Sequence, residues 1–324
     1  MLKSNTKMCN YNRGNHDGLF FSLVDYRNNY LFSDRIEEVL DFYSGFDNRE
    51  SLIRWMHSRP KGVHRICEVE GEKEIIVVIP TADYDGSYAK ECRENIFKGL
   101  HIIFVESGKY PDPYFNYAHN CNVGINKALE YKPKWVIVSN DDMYKVDDVT
   151  KLKAQLLKIP EIYDVVFITE GKYHSRLTQI SNQTLRRKII LNLMGKYEKA
   201  RLKLENKFRV ALTIGTTYDI KRFLYKPIKK IRYTGSFSIF SYNFIRRNEN
   251  KVFDEIYING MEDIDLSLRI HGNGSKLTEI DYSIGDMVGG TIGPYTSIRR
   301  IRGLVNDCYF NSKFGNDIMS ITKF

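Results

Sequence analysis

Two adjacent carboxylates, Asp141 and Asp142, follow the apolar run Trp135–Val138 after two polar residues, Ser139 and Asn140. A short run of this kind predicts a buried strand that ends where the polar residues begin. In open α/β sheets, ligands bind outside the carboxyl ends of strands. Paired carboxylates at such a place suit a hard divalent cation, which takes oxygen ligands and carries bound phosphates. Taken alone, the pair is also typical of a solvated acidic turn.

A second acidic cluster, Glu262, Asp263 and Asp265, stands at the predicted start of a helix whose buried face includes Leu266 and Ile270. Acids in a first helical turn complement the helix dipole by about 0.3–1 kcal/mol, which is the simpler interpretation. Three carboxylates within four residues are more than a cap needs. The cluster is therefore a second candidate site.

The elements that must position these acids alternate between strand and helix from residue 73 onward. Strands are predicted over 75–79, 101–105, 135–138 and 164–169, with helices starting near residues 87, 117 and 149. Such a rhythm predicts an α/β fold with a mostly parallel, doubly wound sheet and helices on both faces.

The predicted domains divide at residue 71. Residues 1–71 are predicted to form a small N-terminal α+β appendage, with a strand over Gly18–Tyr26 and two short helices. Residues 72–324 are predicted to form the main domain, which comprises a first part at 72–170, a basic and partly helical insertion at 171–232 and a last part at 233–324.

The positive charge is concentrated in one segment. The chain has 324 residues and a formal net charge of +9. Between Arg186 and Arg232, fifteen Lys or Arg face three acids, a net of +12, so the remainder sums to about −3. A solvated helical insertion is the simpler interpretation, and a peripheral contact with an anionic membrane through 186–232 is the functional one. Nucleic acid is not expected, because no motif accompanies the charge.

Cysteine usage and hydropathy indicate a cytoplasmic protein. The five cysteines are scattered and form no CxxC pair, which favours free thiols in a reducing compartment. No apolar run approaches the roughly 18–20 residues of a membrane span. The first six residues lack the apolar core of a signal peptide.

Four local patterns, taken in order, resemble the inverting family 2 glycosyltransferases of the GT-A (nucleotide-diphospho-sugar transferase) fold, from about residue 74 to 315. They are the first strand and loop (76–81), an Asn-x-Gly helix segment (122–124), the acidic motif (140–142), and an acidic helix preceded by Phe-Asp-Glu (253–269). The resemblance implies a metal-dependent transfer of a sugar from a UDP- or GDP-linked donor to a hydroxyl on a glycan, a lipid-linked sugar or a protein.

The resemblance also implies that 72–170 is the nucleotide-binding half and 233–324 the acceptor and catalytic half, and it implies roles for individual residues. Asp263 would be the general base, with Glu262 and Asp265 orienting the acceptor or the donor sugar. Asp142 would bind Mn²⁺ or Mg²⁺, and Asp141 would contact the metal or the ribose. The nucleotide-binding residues would be Thr81, Asp83, Glu106 and Asn122.

Two positions depart from the family pattern. Asp286, in the glycine-rich turn at 283–291, stands where the family often has a histidine ligand, and it is the candidate third metal ligand. Asn140 stands where many relatives carry an acid. Two alternative functions remain, a sugar-nucleotide pyrophosphorylase-like enzyme and an inactive relative that binds nucleotide or glycan. Against the first alternative, this sequence has no glycine-rich, lysine-bearing loop after the first strand.

Overall fold

The structure, a computed structural model, describes residues 10–11, 33–108, 112–169, 177–183, 195–216, 225–287 and 297–315. The strands in these ranges are β1 (Asn10–Tyr11), β2 (Arg65–Val69), β3 (Glu72–Thr81), β4 (Leu100–Glu106), β5 (Trp135–Ser139), β6 (Met143–Lys145), β7 (Val165–Ile168), β8 (Leu177–Gln183), β9 (Leu212–Thr216), β10 (Tyr225–Arg232), β11 (Phe237–Ser241), β12 (Leu277–Ile280) and β13 (Ile284–Asp286).

The helices are α1 (Ile36–Ser44), α2 (Arg49–Ser58), α3 (Ser87–Glu91), α4 (Tyr117–Leu129), α5 (Val149–Leu156), α6 (Lys196–Lys207), α7 (Tyr242–Arg247), α8 (Glu262–Gly272), α9 (Ser297–Arg302) and α10 (Leu304–Phe314). Helix α3 continues into a π-helical turn at Cys92–Ile96.

A central sheet has the strand order β1-β2-β4-β3-β5-β11-β7-β12. The pairs β4–β3, β3–β5 and β7–β12 are parallel. Strand β11 is antiparallel to both of its neighbours, β5 and β7, and β2 is antiparallel to β4. Since the remaining strands share one direction, the sheet is mixed but mostly parallel, as the sequence predicts.

Helices cover both faces of this sheet. Alternate residues of β3 belong to different cores: Ile75, Val77 and Ile79 face one core, and Ile76 and Val78 face the other. The first core is closed by α3, its π-helical turn and α5, and the second by α4, α7 and α8. Burial on both faces explains why the strands are continuous apolar runs without alternation.

The described part of the N-terminal region is built into the rest of the molecule. Strand β2, which precedes the predicted boundary at residue 71, pairs with β4 of the central sheet. Helices α1 and α2 pack in one apolar core with α6, α9 and α10. The Tyr43 hydroxyl donates to the carbonyl oxygen of Ile301 at 2.8 Å and accepts the Val305 amide at 3.1 Å. The predicted strand over Gly18–Tyr26 lies outside the described residues.

The basic insertion contains a sheet that the sequence interpretation did not include. Strands β8, β9 and β10 form a three-stranded antiparallel sheet in the order β10-β8-β9. Helix α6 is the helical part of the segment. The apolar spacing around Leu185, Ile189 and Leu193 lies outside the described residues, so its helical interpretation stays a prediction.

Candidate functional site

The strand order changes direction at β3, and this creates a crevice at the carboxyl ends of the central strands. The connection from β3 to β4 runs through α3 on one face, and the connection from β4 to β5 runs through α4 on the other. Strands β4 and β5 therefore lie on opposite sides of β3. Ligands of open α/β sheets bind at such a switch point, outside the carboxyl ends of the strands. Thr81 ends β3 there, and Asn140–Asp142 follow β5.

Thr81 and Asp141 meet across this crevice. The Thr81 hydroxyl donates to Asp141 Oδ2 at 2.6 Å. The Cys92 thiol, at the start of the π-helical turn, donates to the Asp141 carbonyl oxygen at 3.4 Å. Burial and the nearby carboxylates, Asp141 first, raise the pKa of Cys92. Asp141 and Asp142 are both buried, so the acidic pair is part of a built crevice rather than a solvated turn.

The second acidic cluster opens α8 in a strained turn. Asn259 and Met261 have positive φ angles of 50° and 75°, and Met261 is the residue at the helix N-cap. Non-glycine residues in this region cost on the order of 1–3 kcal/mol each, and such residues are concentrated at active sites. The turn is held by Asn259, whose side chain accepts the Tyr117 amide at 2.9 Å.

Glu262 and Asp263 have different surroundings. The Glu262 carboxyl is buried, and burial together with the charge of Asp263 raises its pKa to about 8. Asp263 accepts hydrogen bonds on both oxygens, from the Tyr233 hydroxyl on Oδ2 and from the Ile264 amide on Oδ1 at 2.7 Å. Burial raises the pKa of Asp263 as well, against the lowering effect of the Tyr233 hydrogen bond. A raised pKa suits a carboxylate to proton transfer near neutral pH.

Both acidic segments lie at the same edge of the sheet. Because β11 is antiparallel to β5, its first residue is opposite Ser139, the last residue of β5. The segment before β11 joins the two clusters: Asn140 N–H donates to the Ser236 carbonyl oxygen at 2.9 Å, and the Tyr233 hydroxyl donates to Asp263. Tyr233 and Ser236 are three residues apart, so their Cα atoms are at most about 11 Å from each other.

A second connection runs through α4. The Tyr117 hydroxyl donates to Asn140 Oδ1 at 2.8 Å. Burial raises the pKa of Tyr117, and so do the neighbouring Cys121 thiol and the charges of Glu262 and Asp263. Tyr117 thus contacts the residue next to Asp141, and it is close enough to Glu262 and Asp263 for their charges to raise its pKa.

Asp265 is turned away from this crevice. It is fully buried, and its Oδ1 accepts from Arg269 Nε at 2.6 Å. Its Oδ2 is paired with Lys313 Nζ at 2.6 Å and accepts from the Tyr257 hydroxyl at 3.1 Å. These partners bind α8 to α10, so the structure gives Asp265 a structural contact and does not bring it together with Asp263.

Glu106 and Asp83 flank the end of β3. Glu106, at the end of β4, is ion-paired with Arg65 of β2 and accepts the Tyr84 amide at 3.2 Å. Asp83 follows Thr81 in the loop, and its Oδ1 accepts the Asp85 amide at 3.1 Å. Both acids are therefore at the predicted nucleotide side of the crevice.

Asn122 is engaged entirely with protein. Its side-chain oxygen accepts the Phe253 amide at 3.0 Å, and its NH₂ group donates to the Phe253 carbonyl oxygen at 2.8 Å and to Glu255 Oε1 at 2.9 Å. Asn306 of α10 pairs in the same way with both backbone groups of Ile258. Two asparagines thus fix the segment that leads to Glu262. Nucleotide contact by Asn122 stays a prediction.

Asp286 reaches this edge through a small two-stranded sheet. Strand β13 pairs with β6 so that Asp286 is opposite Met143, and the Met287 amide donates to the Asp142 carbonyl oxygen at 2.8 Å. The charge of Asp286 contributes to the raised pKa of Tyr233. Within the described ranges, no three His, Cys, Asp or Glu side chains converge as a group that could hold a metal. The turn at 288–296 lies outside those ranges.

Sequence reasoning did not find Tyr233, Tyr117 or Arg65. Tyr233 precedes β11 and Arg65 opens β2, in segments that carry no recognisable motif. Their partners are 23 or more residues away along the chain. The sequence has 22 tyrosines, and nothing in their spacing indicates which of them contact the acids.

The basic segment presents lysines on one face of α6. Lys196, Lys199, Lys203 and Lys207 are exposed, at spacings of three and four residues. In the part of the chain that the structure describes, no helix is both long and apolar enough to cross a membrane. Contact with an anionic membrane stays a prediction.

A cavity of about 390 Å³ lies at the opposite edge of the sheet, where β7 and β12 begin. Its lining includes Asp164, which is paired with Arg247 and accepts the Lys276 amide at 2.9 Å. None of the predicted site residues lines it. The residues capable of the proposed chemistry are therefore at the switch-point edge and not in this cavity.

The sequence matches no protein-family model, and no curated protein matches it. Among solved structures, the chain matches a mannosyltransferase, PcManGT from Pyrobaculum calidifontis, in complex with GDP-Man and Mn²⁺. The identity is 12% and the TM-score 0.29, over 80% of this chain and 67% of the other. A likeness at this level carries no argument about fold or function.

Proposed function

We propose that this chain is a metal-dependent, inverting glycosyltransferase of the GT-A type, which moves a sugar from a nucleotide-sugar to an acceptor hydroxyl. The observation that supports the proposal best is the meeting of two acidic segments, some 120 residues apart, at one switch-point crevice. The first, with Asp141 and Asp142, lies beside Thr81. The second offers Asp263, whose pKa is raised by burial.

The first acidic pair fits a divalent ion of the Mg²⁺ or Mn²⁺ kind. Proteins usually hold Mg²⁺ through one or two carboxylates and leave its other positions to substrate phosphates and water. Asp141 and Asp142 are buried, adjacent, and of this donor type, so they are the residues that would hold the ion. When bound, the ion would stabilise the charge that develops on the departing diphosphate.

Asp263 would act on the acceptor. A sugar hydroxyl is a weak nucleophile and needs a carboxylate that takes its proton as the new bond forms, which contributes about 10²–10⁴-fold. Asp263 has a hydrogen-bond donor on each oxygen and still keeps lone pairs for the acceptor. With a single base, attack opposite the leaving group gives inversion and no covalent intermediate.

The test is a calorimetric screen of UDP- and GDP-sugars with and without Mn²⁺, followed by transfer assays. Asp263→Asn is expected to bind the nucleotide-sugar as the wild type does and to lose transfer. Asp142→Ala is expected to lose the Mn²⁺-dependent part of nucleotide binding. Asp34→Asn, at an exposed aspartate before α1, serves as the matched control.

Two outcomes contradict the proposal. Wild-type turnover by Asp263→Asn would remove the base assignment. Absence of binding to any nucleotide-sugar, with or without Mn²⁺, would remove the proposed function as a whole. Slow hydrolysis of the donor without acceptor distinguishes an active enzyme from an inactive nucleotide-binding relative.

A further inference from the structure

Tyr233 is the closest side-chain partner of Asp263 and lies outside every motif of the sequence. It precedes β11, and its hydroxyl donates to Asp263 Oδ2. The same segment is bound to α8 a second time, because the Thr234 amide donates to the Ser267 hydroxyl at 3.1 Å and that hydroxyl donates to the Asp263 carbonyl oxygen at 2.6 Å. Tyr233 is therefore held on α8 twice, through its own hydroxyl and through the backbone of the next residue.

Glu262 lacks an equivalent partner. Within the described part of the chain, its Oε2 atom is buried and accepts no hydrogen bond. The amides of Glu262 and Gly260 reach the carboxyl group, but burial and the charge of Asp263 outweigh them and raise the pKa of Glu262. Two neighbouring carboxyl groups in a buried site cannot both ionise freely, so a proton is held by one of them.

We infer that Tyr233 is a positioning residue, whose hydroxyl keeps Asp263 as the ionised member of the Glu262–Asp263 pair and leaves the shared proton on Glu262. The inference deepens the proposed function, since it explains which of two adjacent acids is free to accept a proton. Hydrogen bonds to the charged form of a carboxyl group favour that form. Asp263 has such bonds on both oxygens and Glu262 Oε2 has none.

Three other titratable groups around the pair do not supply this bias. Tyr117 and Cys121 of α4 face it, and the charges of Glu262 and Asp263 raise the pKa values of both. The charge of Asp286, in β13, contributes to the raised pKa of Tyr233. The charge of Asp265 adds to the raised pKa of Glu262, and the Ile264 amide favours the ionised form of Asp263, so the hydrogen bond from Tyr233 is the side-chain hydrogen bond among the contacts that distinguish the two acids.

The variant Tyr233→Phe removes the hydroxyl and keeps the ring. Loss of a hydrogen bond to the charged form of a carboxyl group raises its pKa, so the pKa of Asp263 is expected to rise. Transfer needs the ionised carboxylate, so the acidic limb of the kcat/KM profile is expected to move toward higher pH by about one to two pH units, the equivalent of one hydrogen bond to a charged group. Activity on that limb falls about tenfold to a hundredfold and returns as the pH is raised.

A second readout needs no substrate. An acid whose folded-state pKa rises above its unfolded value loses stability as pH increases between the two values. The deficit in melting temperature of Tyr233→Phe relative to the wild type is therefore expected to widen from pH 5 to pH 8. Tyr282→Phe is the matched control, because Tyr282 is fully buried and its hydroxyl has no hydrogen bond within the described residues. Its deficit is expected to be independent of pH.

The two readouts separate the inference from the proposed function. If the melting temperature of Tyr233→Phe were lower than that of the wild type by the same amount at every pH, or its transfer activity were lower by the same factor at every pH, Tyr233 would be merely structural. Either result would overturn the inference. A widening deficit in a chain that turns over no nucleotide-sugar would leave the proton arrangement in place and remove the glycosyltransferase proposal. A widening deficit with a shifted acidic limb supports both.

Discussion

At the scale of single residues, Glu262 shows how burial changes the chemistry of an acid. Its carboxyl is buried beside Asp263, and its pKa is raised from the ordinary 4.5 to about 8. Near neutral pH it is therefore held in its neutral form, which a glutamine side chain imitates in shape and charge. A neutral neighbour also leaves Asp263 as the single negative charge of the pair.

The variant Glu262→Gln is expected to be more stable than the wild type above pH 5. The folded state binds a proton that the unfolded chain releases, so wild-type stability falls as pH rises from about 4.5 to about 8. The advantage of the variant grows by at most about 1.4 kcal/mol for each pH unit in this window. Urea denaturation at several pH values measures it.

The control for this prediction is Glu161→Gln, at an exposed loop position. Its unfolding midpoint should follow that of the wild type at every pH. A stability difference for Glu262→Gln that is the same at pH 5 and pH 8 would show that Glu262 is ionised in the folded protein.

Single-residue contacts were the least predictable part of the site from sequence. Asp141, Asp142, Glu262 and Asp263 were proposed from sequence because they are clustered, as a pair after a strand and as part of three acids within four residues at a helix start. The contacts of Tyr233 and of Asn306 depend on residues 30 and 48 positions away. Asp265 is also an aspartate and follows Asp263 by only two positions, but its side chain lies on the buried face of the helix.

At the scale of elements, the Asn-x-Gly segment of α4 has a structural explanation. Asn122 holds Phe253 through both backbone groups. Gly124 lets the helix lie directly on the sheet, because a Cβ atom at this position would be 2.3 Å from Val78 Cγ1 and 3.0 Å from Val105 Cγ2. The segment fixes both α4 and the chain that leads to Glu262.

Gly124→Ala is expected to destabilise the protein by about 1–2 kcal/mol. Overpacking a close contact costs about 1–3 kcal/mol, and the better helix propensity of alanine offsets part of that, up to about 1 kcal/mol. Chemical denaturation measures the change. Gly303→Ala is the control, since its nearest contact would be an ordinary 3.5 Å to the Arg299 carbonyl oxygen. Equal stability of the two variants would contradict close packing at Gly124.

The elements that the sequence predicted well are those with a strong apolar signal. Strands β3, β4, β5 and β7 are continuous apolar runs, because both of their faces are buried. Strands β8, β9 and β10 were missed because they are polar or basic, and β10 carries Pro227 next to a register shift. Proline in a strand and lysines on an edge weaken a strand prediction.

At the scale of the whole molecule, the N-terminal region and the C-terminal helices share one core. Phe42, Leu52 and Met56 are packed with Phe208 and Leu304. With β2 in the central sheet as well, the described residues before position 71 are expected to unfold together with the rest. Sequence periodicity identified the apolar face of α1 but could not identify its partners, which follow about 160 to 270 residues later.

Leu52→Ala is expected to lower the stability of the entire chain in a single transition, by about 2–5 kcal/mol. The chain has two tryptophans, Trp55 in α2 and Trp135 in β5. In the background Trp135→Phe, the remaining tryptophan is Trp55, so tryptophan fluorescence reports on α2 alone. Far-ultraviolet circular dichroism reports on the whole fold. Val63→Ala, at a half-exposed position, should leave both signals unchanged. Two separate transitions, of which only the fluorescent one moves, would indicate an independent appendage.

The antiparallel strand β11 also affects synthesis on the ribosome. One edge of β5 pairs with β3, but the other pairs with β11, which emerges roughly a hundred residues later. At about 5–20 residues per second, the apolar edge of β5 remains open for about 5–20 seconds in each nascent chain. An open edge of this kind invites pairing with other chains. The strand that joins the two acidic segments therefore also covers the open edge of β5 in the nascent chain.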